Sequence, residues 1–164
     1  MSQTNELEIM ERIALDLEGV EESLASSFNT GAEDFNALIR PLSAAGGKRL
    51  RAQLCLLIAN AGTSVERQRI RIAEAVEMLH LATLIHDDVL DQAEIRRGEE
   101  TIHMHKGNKV AILSGDYLFA KAFQIVSEMP NMKYLQVFSH IITCLVEGEF
   151  MQMEDVYRID QGIE

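Results

Sequence analysis

The stretch Glu77–Gly98, EMLHLATLIHDDVLDQAEIRRG, contains the pattern that decides the fold of this chain. If it is helical as far as the aspartates, four polar residues spaced three or four positions apart share one stripe along the helix. They are His80, Thr83, Asp87 and Asp91. The residues beside the stripe are apolar, namely Leu79, Ala82, Leu84, Ile85, Val89 and Leu90. The pattern therefore predicts a helix whose charged groups border a core, where they need partners.

The composition of the chain predicts a helical protein. Of its 164 residues, 47% are hydrophobic and 25% are charged, which is typical of a globular domain with a substantial core. Glycine (10) and proline (2) are few, and helix-forming residues dominate. The formal net charge of -11 argues against general nucleic-acid binding, which requires a basic face. An anionic ligand must therefore meet a local cluster of basic residues.

Helical patterns of apolar residues occur in six segments and predict about six helices. The segments are 6–27, 34–42, 52–62, 66–91, 109–128 and 132–157. Pro41 is predicted to mark the end of the second helix, and the polar segment 93–108, with two glycines, is predicted to be a loop. Because the connections are short, neighbouring helices should be mostly antiparallel, with the acidic helix in the middle and Asp87 facing a cavity. We expect one all-α domain over residues 1–164.

The N-terminal segment lacks the features of a targeting signal. Its first 20 residues contain no basic region, and their apolar residues are at helical spacing. No run reaches about 18 apolar residues, the length that spans a bilayer. Cys55 and Cys144 lie in apolar runs without a CxxC spacing, so we interpret them as core thiols in a reducing compartment. These observations predict a cytoplasmic protein.

A basic cluster follows a pair of glycines in Gly46-Gly47-Lys48-Arg49-Leu50-Arg51. Glycines allow a ligand to approach the backbone, and Lys48 and Arg51 would lie on one face of the first turn of the next helix. Cations are unfavourable at a helix N-terminus unless an anion binds there, where exposed N–H groups also attract it. The cluster is a candidate anion site, and a solvated helix cap with basic residues is the alternative.

Asp87, Asp88 and Asp91 form a DDxxD group at the predicted end of the long helix. Asp87 and Asp91 project from successive turns, so they can hold Mg²⁺, which commonly binds one or two carboxylates together with substrate phosphates. Three acids at a helix C-terminus are unfavourable without a cation. A metal site is therefore favoured over a solvated face. His80, two turns earlier, is either a core histidine or a donor to a ligand.

The chain resembles the trans-isoprenyl diphosphate synthases, also called polyprenyl synthases. Four motifs occur in the family's order: GGKRLR (46–51), EMLHLATLIHDDVLD followed by RRG (77–98), GDYLFAKAF (115–123) and EGEFMQ (147–152). The DDxxD with its downstream RRG is the most specific of them. The pattern is most similar to the catalytic component of medium- and long-chain synthases such as heptaprenyl diphosphate synthase. The resemblance implies the N-terminal half of an isoprenoid-synthase-type helical bundle.

The resemblance also implies roles for individual residues. Asp87 and Asp91, supported by Asp88, match the aspartates that bind Mg²⁺, and Arg96 matches the arginine that holds the allylic diphosphate. Four residues match the pocket for isopentenyl diphosphate, namely Lys48, Arg51, His80 and Arg97. Ala82 and Thr83 match the floor of the cavity for the growing chain, where small side chains leave room for a medium to long product.

The implied reaction begins with metal-assisted loss of the allylic diphosphate, which leaves a carbocation. The double bond of isopentenyl diphosphate attacks this cation, and loss of a proton gives a product longer by one isoprene unit. Mg²⁺ and arginines stabilise charge on the leaving diphosphate, and helix walls exclude water from the cation.

The family's second aspartate-rich motif does not occur in these 164 residues. We therefore expect a half-subunit that pairs with a separate chain carrying that motif and is active only in the complex. A fragment of a longer synthase is the alternative.

Other functions are consistent with parts of the sequence. A non-catalytic partner subunit would bind substrate or a full-length synthase, but it has no need of an intact DDxxD and RRG. Class I terpene cyclases share an aspartate-rich motif, but a basic isopentenyl pocket would be superfluous in them. Glu77-x-x-His80 and Glu100-x-x-His103 have the spacing of di-iron four-helix bundles, yet Glu100 lies in the predicted loop.

Overall fold

A computed structural model describes residues 3–28, 33–44, 47–62 and 65–155. Its elements are α1 (Gln3–Ser27), α2 (Glu33–Ala44), α3 (Leu50–Asn60), α4 (Glu66–Leu90), β1 (Ile95–Arg96), β2 (Glu99–Glu100), α5 (Ile102–Lys106), α6 (Asn108–Ser127) and α7 (Lys133–Asp155). The all-α prediction is confirmed. Contacts divide the chain into two compact units, Met1–Val126 and Ser127–Glu164. The single domain over residues 1–164 stays a prediction.

The first unit is built around α4, which has buried side chains on successive turns from Ala73 to Asp88. α1 and α3 pack against α4 and against each other. Leu24 of α1, Leu56 of α3 and Met78 of α4 are fully buried. Because the apolar stripes of these helices face one another, their removal from water is the main stabilising contribution in this unit. α4 is thus the central helix of the unit, as the sequence predicts.

Two buried polar contacts join α1 to α4. Arg69 Nε donates to Asp16 Oδ2 at 3.0 Å, and both side chains are almost fully buried. Glu74, which is completely buried, accepts hydrogen bonds from Ser23 and Ser27 at 2.7 and 2.6 Å. A buried charge without partners is strongly destabilising, so these contacts fix how α1 lies against α4.

The segment after α4 has more regular structure than its sequence predicts. β1 and β2 pair antiparallel, with Ile95 opposite Glu100 and Arg96 opposite Glu99. The connecting Arg97 and Gly98 have φ values of 55° and 88°, as a two-residue type I′ hairpin loop requires. The five-residue α5 follows directly. These elements are too short to show a repeating pattern of hydrophobic residues, so the sequence predicted a loop.

Other local predictions also differ from the structure. α2 continues past Pro41 to Ala44, where the sequence predicted its end. Cys144 of α7 is exposed rather than in a core, whereas Cys55 is half-buried and burial raises the pKa of its thiol. α6 is long and apolar enough to cross a bilayer by length and composition alone, although 39% of that window is buried inside the protein. The absence of a spanning helix therefore stays a prediction.

His86 lies where α4 meets α6. Its Nε2 donates to the main-chain oxygen of Ile112 at 3.1 Å and lies 3.5 Å from Asp116 Oδ1. A Cβ added to Gly115 would overlap the imidazole, so the close approach of the ring to α6 depends on glycine. Because Asp87 follows His86 in the chain, this contact also fixes the acidic end of α4.

We expect Gly115→Ala to lower the free energy of unfolding by about 1–3 kcal/mol, because the new methyl group must displace the imidazole of His86. Gly62→Ala is the matched control, since its Cβ would meet its nearest neighbour at an ordinary 3.7 Å. This control should change the free energy by less than about 0.5 kcal/mol. Urea unfolding measures both values. Equal losses in the two variants would contradict the proposed steric conflict.

Candidate functional site

The aspartates lie where α4 ends. Asp91 caps the helix and donates its N–H to the main-chain oxygen of Asp87 at 2.8 Å. Gln92 adopts a left-handed φ of 51°, and the N–H of Ala93 reaches back to the oxygen of Asp88 at 3.0 Å. This is the Schellman pattern that terminates a helix. Asp87 and Asp91 therefore stand on successive turns, as their spacing predicts.

The three aspartates differ in burial and in partners. Asp91 is exposed, Asp87 is half-buried and Asp88 is almost fully buried. Arg96 Nε donates to Asp88 Oδ1 at 2.5 Å, so β1 is tied to the acidic end of α4. This ion pair compensates the burial of the Asp88 carboxylate and fixes the position of the Arg96 guanidinium.

The acidic group fits a cation that takes few protein ligands. Within the described ranges of the chain, no three His, Cys, Asp or Glu side chains converge to hold a metal ion. Mg²⁺ commonly binds only one or two carboxylates and completes its shell with water and phosphate oxygens. Asp87 and Asp91 supply hard oxygen donors of this kind. A di-iron centre needs more ligands, and Glu100 is exposed on β2.

Residues predicted to share one pocket converge from three segments. Arg51 Nη1 of α3 lies 3.1 Å from His80 Nε2 of α4. A Cβ added to Gly47 would come within 3.2 Å of Arg97 Nη2, so Gly47 and the hairpin loop meet here. The positive charges of Arg97 and Arg96 are also near enough to lower the pKa of His80. The structure therefore brings Arg51, His80 and Arg97 together.

The surroundings of His80 favour its neutral form. Burial lowers the pKa of its imidazole, and the neighbouring guanidinium of Arg51 lowers the pKa further, while the carboxylate of Glu77 raises it. Arg97 and Arg96 add smaller lowering contributions. A guanidinium can only donate, so His80 Nε2 accepts the hydrogen bond from Arg51 and Nδ1 carries the proton. The site thus presents its positive charge on arginines around a neutral ring.

Lys48 does not lie in the first turn of the helix, where the sequence predicted it. α3 begins at Leu50 with Arg49 as its N-cap residue, so Lys48 precedes the helix and does not share a helical face with Arg51. The reason is the left-handed backbone of Arg49, with φ of 46°, which separates the glycine-rich segment from the helix. The main-chain oxygen of Lys48 accepts a hydrogen bond from Gln53 Nε2 at 2.6 Å, and its side chain is exposed.

Arg49 and Glu77 are placed directly behind this site, and sequence reasoning gave neither a role in it. Arg49 is buried in ion pairs with Glu21 and Glu77. The sequence has three basic residues within four positions, and nothing in this pattern indicates that Arg49, the middle one, is buried. Glu77 was considered only as a metal ligand, although its position three residues before His80 puts both on one face of α4.

Ala82 and Thr83, the residues predicted to line the floor of a cavity, differ in exposure. Ala82 is completely buried in the core. Thr83 is half-buried, lies one turn before Asp87, and donates its hydroxyl to the main-chain oxygen of His80 at 2.9 Å. Of the two, only Thr83 has a side chain that reaches accessible space.

A cavity of about 300 Å³ lies between α4 and the hairpin. Its polar lining includes Asp88, Arg96 and Arg97, and its apolar lining includes Leu81, Leu84 and Ile85. Among the three aspartates, Asp88 lines this cavity. That Asp87 faces a cavity stays a prediction. The ion pair with Arg96 holds the Asp88 carboxylate against the hairpin.

Comparisons with known proteins agree on one family. A family profile described as polyprenyl synthetase matches residues 32–163. Component 2 of heptaprenyl diphosphate synthase from Geobacillus stearothermophilus is 39% identical over 90% of this chain and 46% of that protein. Octaprenyl diphosphate synthase from Escherichia coli is 34% identical over 90% of this chain and 46% of that protein.

Solved structures agree with these sequence matches. A polyprenyl synthase from Caulobacter crescentus CB15, complexed with calcium and isoprenyl diphosphate, has a TM-score of 0.86 and 33% identity. The match covers 93% of this chain and 48% of that one. The chain thus spans about half the length of these relatives, and the expected isoprenoid-synthase type of helical fold is confirmed. From its motifs, its fold and the matched profile, this chain belongs to the polyprenyl synthetase family.

Proposed function

We propose that this chain is the substrate-binding half of a trans-polyprenyl diphosphate synthase, a prenyltransferase that condenses an allylic diphosphate with isopentenyl diphosphate. The observation that carries this proposal is the convergence of Arg51, His80 and Arg97 beside the helix that bears Asp87 and Asp91. Two anionic substrates need two separate sources of positive charge. An acidic end that can hold a cation and a cluster of arginines supply them.

The acidic end of α4 is the proposed site of the allylic diphosphate. Asp87 and Asp91 would hold Mg²⁺, with Asp88 supporting them through its ion pair to Arg96. Arg96 would contact the phosphate oxygens through nitrogens not bonded to Asp88. Bound Mg²⁺ supplies positive charge that stabilises the leaving diphosphate. When the allylic C–O bond breaks, its electron pair leaves with the diphosphate.

The basic cluster is the proposed site of isopentenyl diphosphate. Arg51 and Arg97 would bind its phosphate oxygens, Lys48 would add a mobile positive charge, and His80 would complete the pocket beside Arg51. The double bond of this substrate would form the new C–C bond to the allylic carbon. A proton would then leave its second carbon for an oxygen of the departing diphosphate, and the electron pair of that C–H bond would form the new double bond. Apolar walls exclude water, which would otherwise capture the cation.

We further propose that a second half completes the catalytic unit. We expect a partner chain to supply the second aspartate-rich motif. In this proposal both chains are cytoplasmic, and the present chain forms one domain. Support comes from the relatives, which are about twice as long as this chain.

Turnover of farnesyl diphosphate and radiolabelled isopentenyl diphosphate with Mg²⁺ tests the proposed reaction. We expect activity when the chain is mixed with a chain that carries the second motif, and little activity from this chain alone. Asp87→Asn should lower the rate of the mixture by about 100-fold or more, because a cation ligand is lost. Glu94→Gln removes an exposed acid from the same region and should keep the rate within about twofold.

Two results would contradict these proposals separately. Equal rates for the Asp87→Asn and Glu94→Gln variants would contradict the proposed role of the acidic group in catalysis. Full turnover by the chain alone would refute the need for a partner, while leaving the site assignment intact.

The proposed chain-length pocket is best tested at Thr83. Thr83→Phe should shift the product distribution toward shorter chains, because a ring one turn before Asp87 fills the space beneath the growing tail. Ala82→Phe should also shorten products, but its ring enters the core and should lower the free energy of unfolding by about 1–3 kcal/mol. Chromatography of dephosphorylated products measures chain length. Thr143→Phe, on an exposed position of α7, is the control. If Thr83→Phe gives the same product distribution as this control, Thr83 does not line the pocket.

A further inference from the structure

Glu77 is a buried acid one turn before His80 on α4. Its side chain is almost inaccessible, with 3% of the residue exposed. Both of its oxygens have partners: Oε1 accepts the N–H of Ala52 at 3.0 Å, and Oε2 lies 3.4 Å from Arg49 Nη1. These partners belong to the first turn of α3 and to its N-cap position. The carboxylate therefore acts as a side-chain cap that α4 provides to α3.

Arg49 connects the same point to a third helix. Its Nε and Nη2 donate to the two oxygens of Glu21 at 2.6 and 3.1 Å, in the two-pronged geometry that orients a guanidinium. Its backbone has the left-handed φ of 46°, which a non-glycine residue keeps only where its surroundings hold it. Glu21 on one side and Glu77 on the other provide that restraint.

Gly47 and Arg51 lie on either side of this anchored residue. Arg51, two positions after Arg49, meets His80 at 3.1 Å, and Gly47, two positions before it, is in close approach to Arg97. A rotation or shift of the first turn of α3 would separate Arg51 from His80. It would also change where the glycine-rich segment meets the hairpin.

We propose that Glu77 and Arg49 are positioning residues for the isopentenyl diphosphate site, holding the start of α3 against α4 so that Arg51 and His80 meet one diphosphate. This inference rests on the proposed function of that site. Neither residue needs to contact the substrate. Glu77 also opposes the charges around His80, since its carboxylate raises the pKa of the ring whereas burial, Arg51, Arg97 and Arg96 lower it.

Glu74 provides a matched comparison on the same helix. It is as buried as Glu77 and is also bonded on both oxygens, but its partners are Ser23 and Ser27 of α1 and Arg71 of α4. Loss of its charge should weaken the packing of α1 on α4 without acting directly on the first turn of α3. Glu74→Gln therefore separates general destabilisation from misplacement of the binding residues.

The test compares Glu77→Gln with Glu74→Gln in the full 164-residue chain. Calorimetric titration with isopentenyl diphosphate, and with inorganic pyrophosphate as a probe of the charged group alone, measures affinity. Glu77→Gln should weaken binding by about tenfold, as is typical when a supporting partner of a ligand group is lost, whereas Glu74→Gln should change it by less than about threefold. Similar losses in both variants, or unchanged binding in Glu77→Gln, would overturn the proposal.

A measurement without ligand keeps the positioning role testable by itself. Amide exchange at Ala52 should accelerate in Glu77→Gln but not in Glu74→Gln, and an NMR titration should show a lower pKa of His80 only in Glu77→Gln. Unchanged Ala52 exchange in Glu77→Gln would refute the positioning role whatever the binding result. Arg51→Ala tests the proposed function separately: if it binds isopentenyl diphosphate as the wild type does, the site assignment fails, while the exchange data still decide the role of Glu77.

Discussion

The need to pair buried carboxylates on α4 determines how the first unit is assembled. Glu74 and Glu77 lie one turn apart and are both shielded from water. Removing one partner of a buried ion pair typically costs about 3–5 kcal/mol, so each acid requires hydrogen-bond donors. Glu74 takes them from two serines of α1 and from Arg71 of α4 itself, and Glu77 takes them from α3 and its N-cap residue. Apolar burial supplies most of the stability, but it tolerates sliding of one helix along another. The polar contacts remove that freedom.

Local backbone geometry determines the other side of the site. The left-handed Gln92 ends α4 directly after its last aspartate, and a two-residue loop through Arg97 and Gly98 returns the chain within a few residues. Arg96 then pairs with Asp88, which ties the returning strand to the end of the helix. The RRG motif thus combines a side chain that anchors the hairpin, a side chain presented on its turn, and a glycine suited to positive φ. A short segment thereby presents two arginines near a helix end rich in carboxylates.

The long elements were predictable from sequence, because α1, α4, α6 and α7 each repeat an apolar pattern over many turns. The DDxxD spacing also placed Asp87 and Asp91 correctly on successive turns. Periodicity could not show the inward turn of Arg49, since that depends on Glu21 and Glu77, each 28 positions away in the sequence. The helix start at Leu50, and with it the position of Lys48, follows from that long-range contact. The burial of Asp88 in an ion pair likewise depends on Arg96, which is eight positions away.

The chain has a net charge of -11, yet its proposed substrates are anions. At physiological ionic strength the Debye length is about 8 Å, so acids farther away on the surface are largely screened from a bound diphosphate. The charges that decide binding are those within a few ångströms of it. In the proposed isopentenyl diphosphate site around His80, these would be the guanidinium groups of Arg51, Arg97 and Arg96, opposed by Glu77. At the other end of the same stripe, the carboxylates and the negative end of the helix dipole favour a cation instead. In the proposed function, one helix offers two anions different partners, because its acidic end would attract a diphosphate through a metal and its histidine end would do so through arginines.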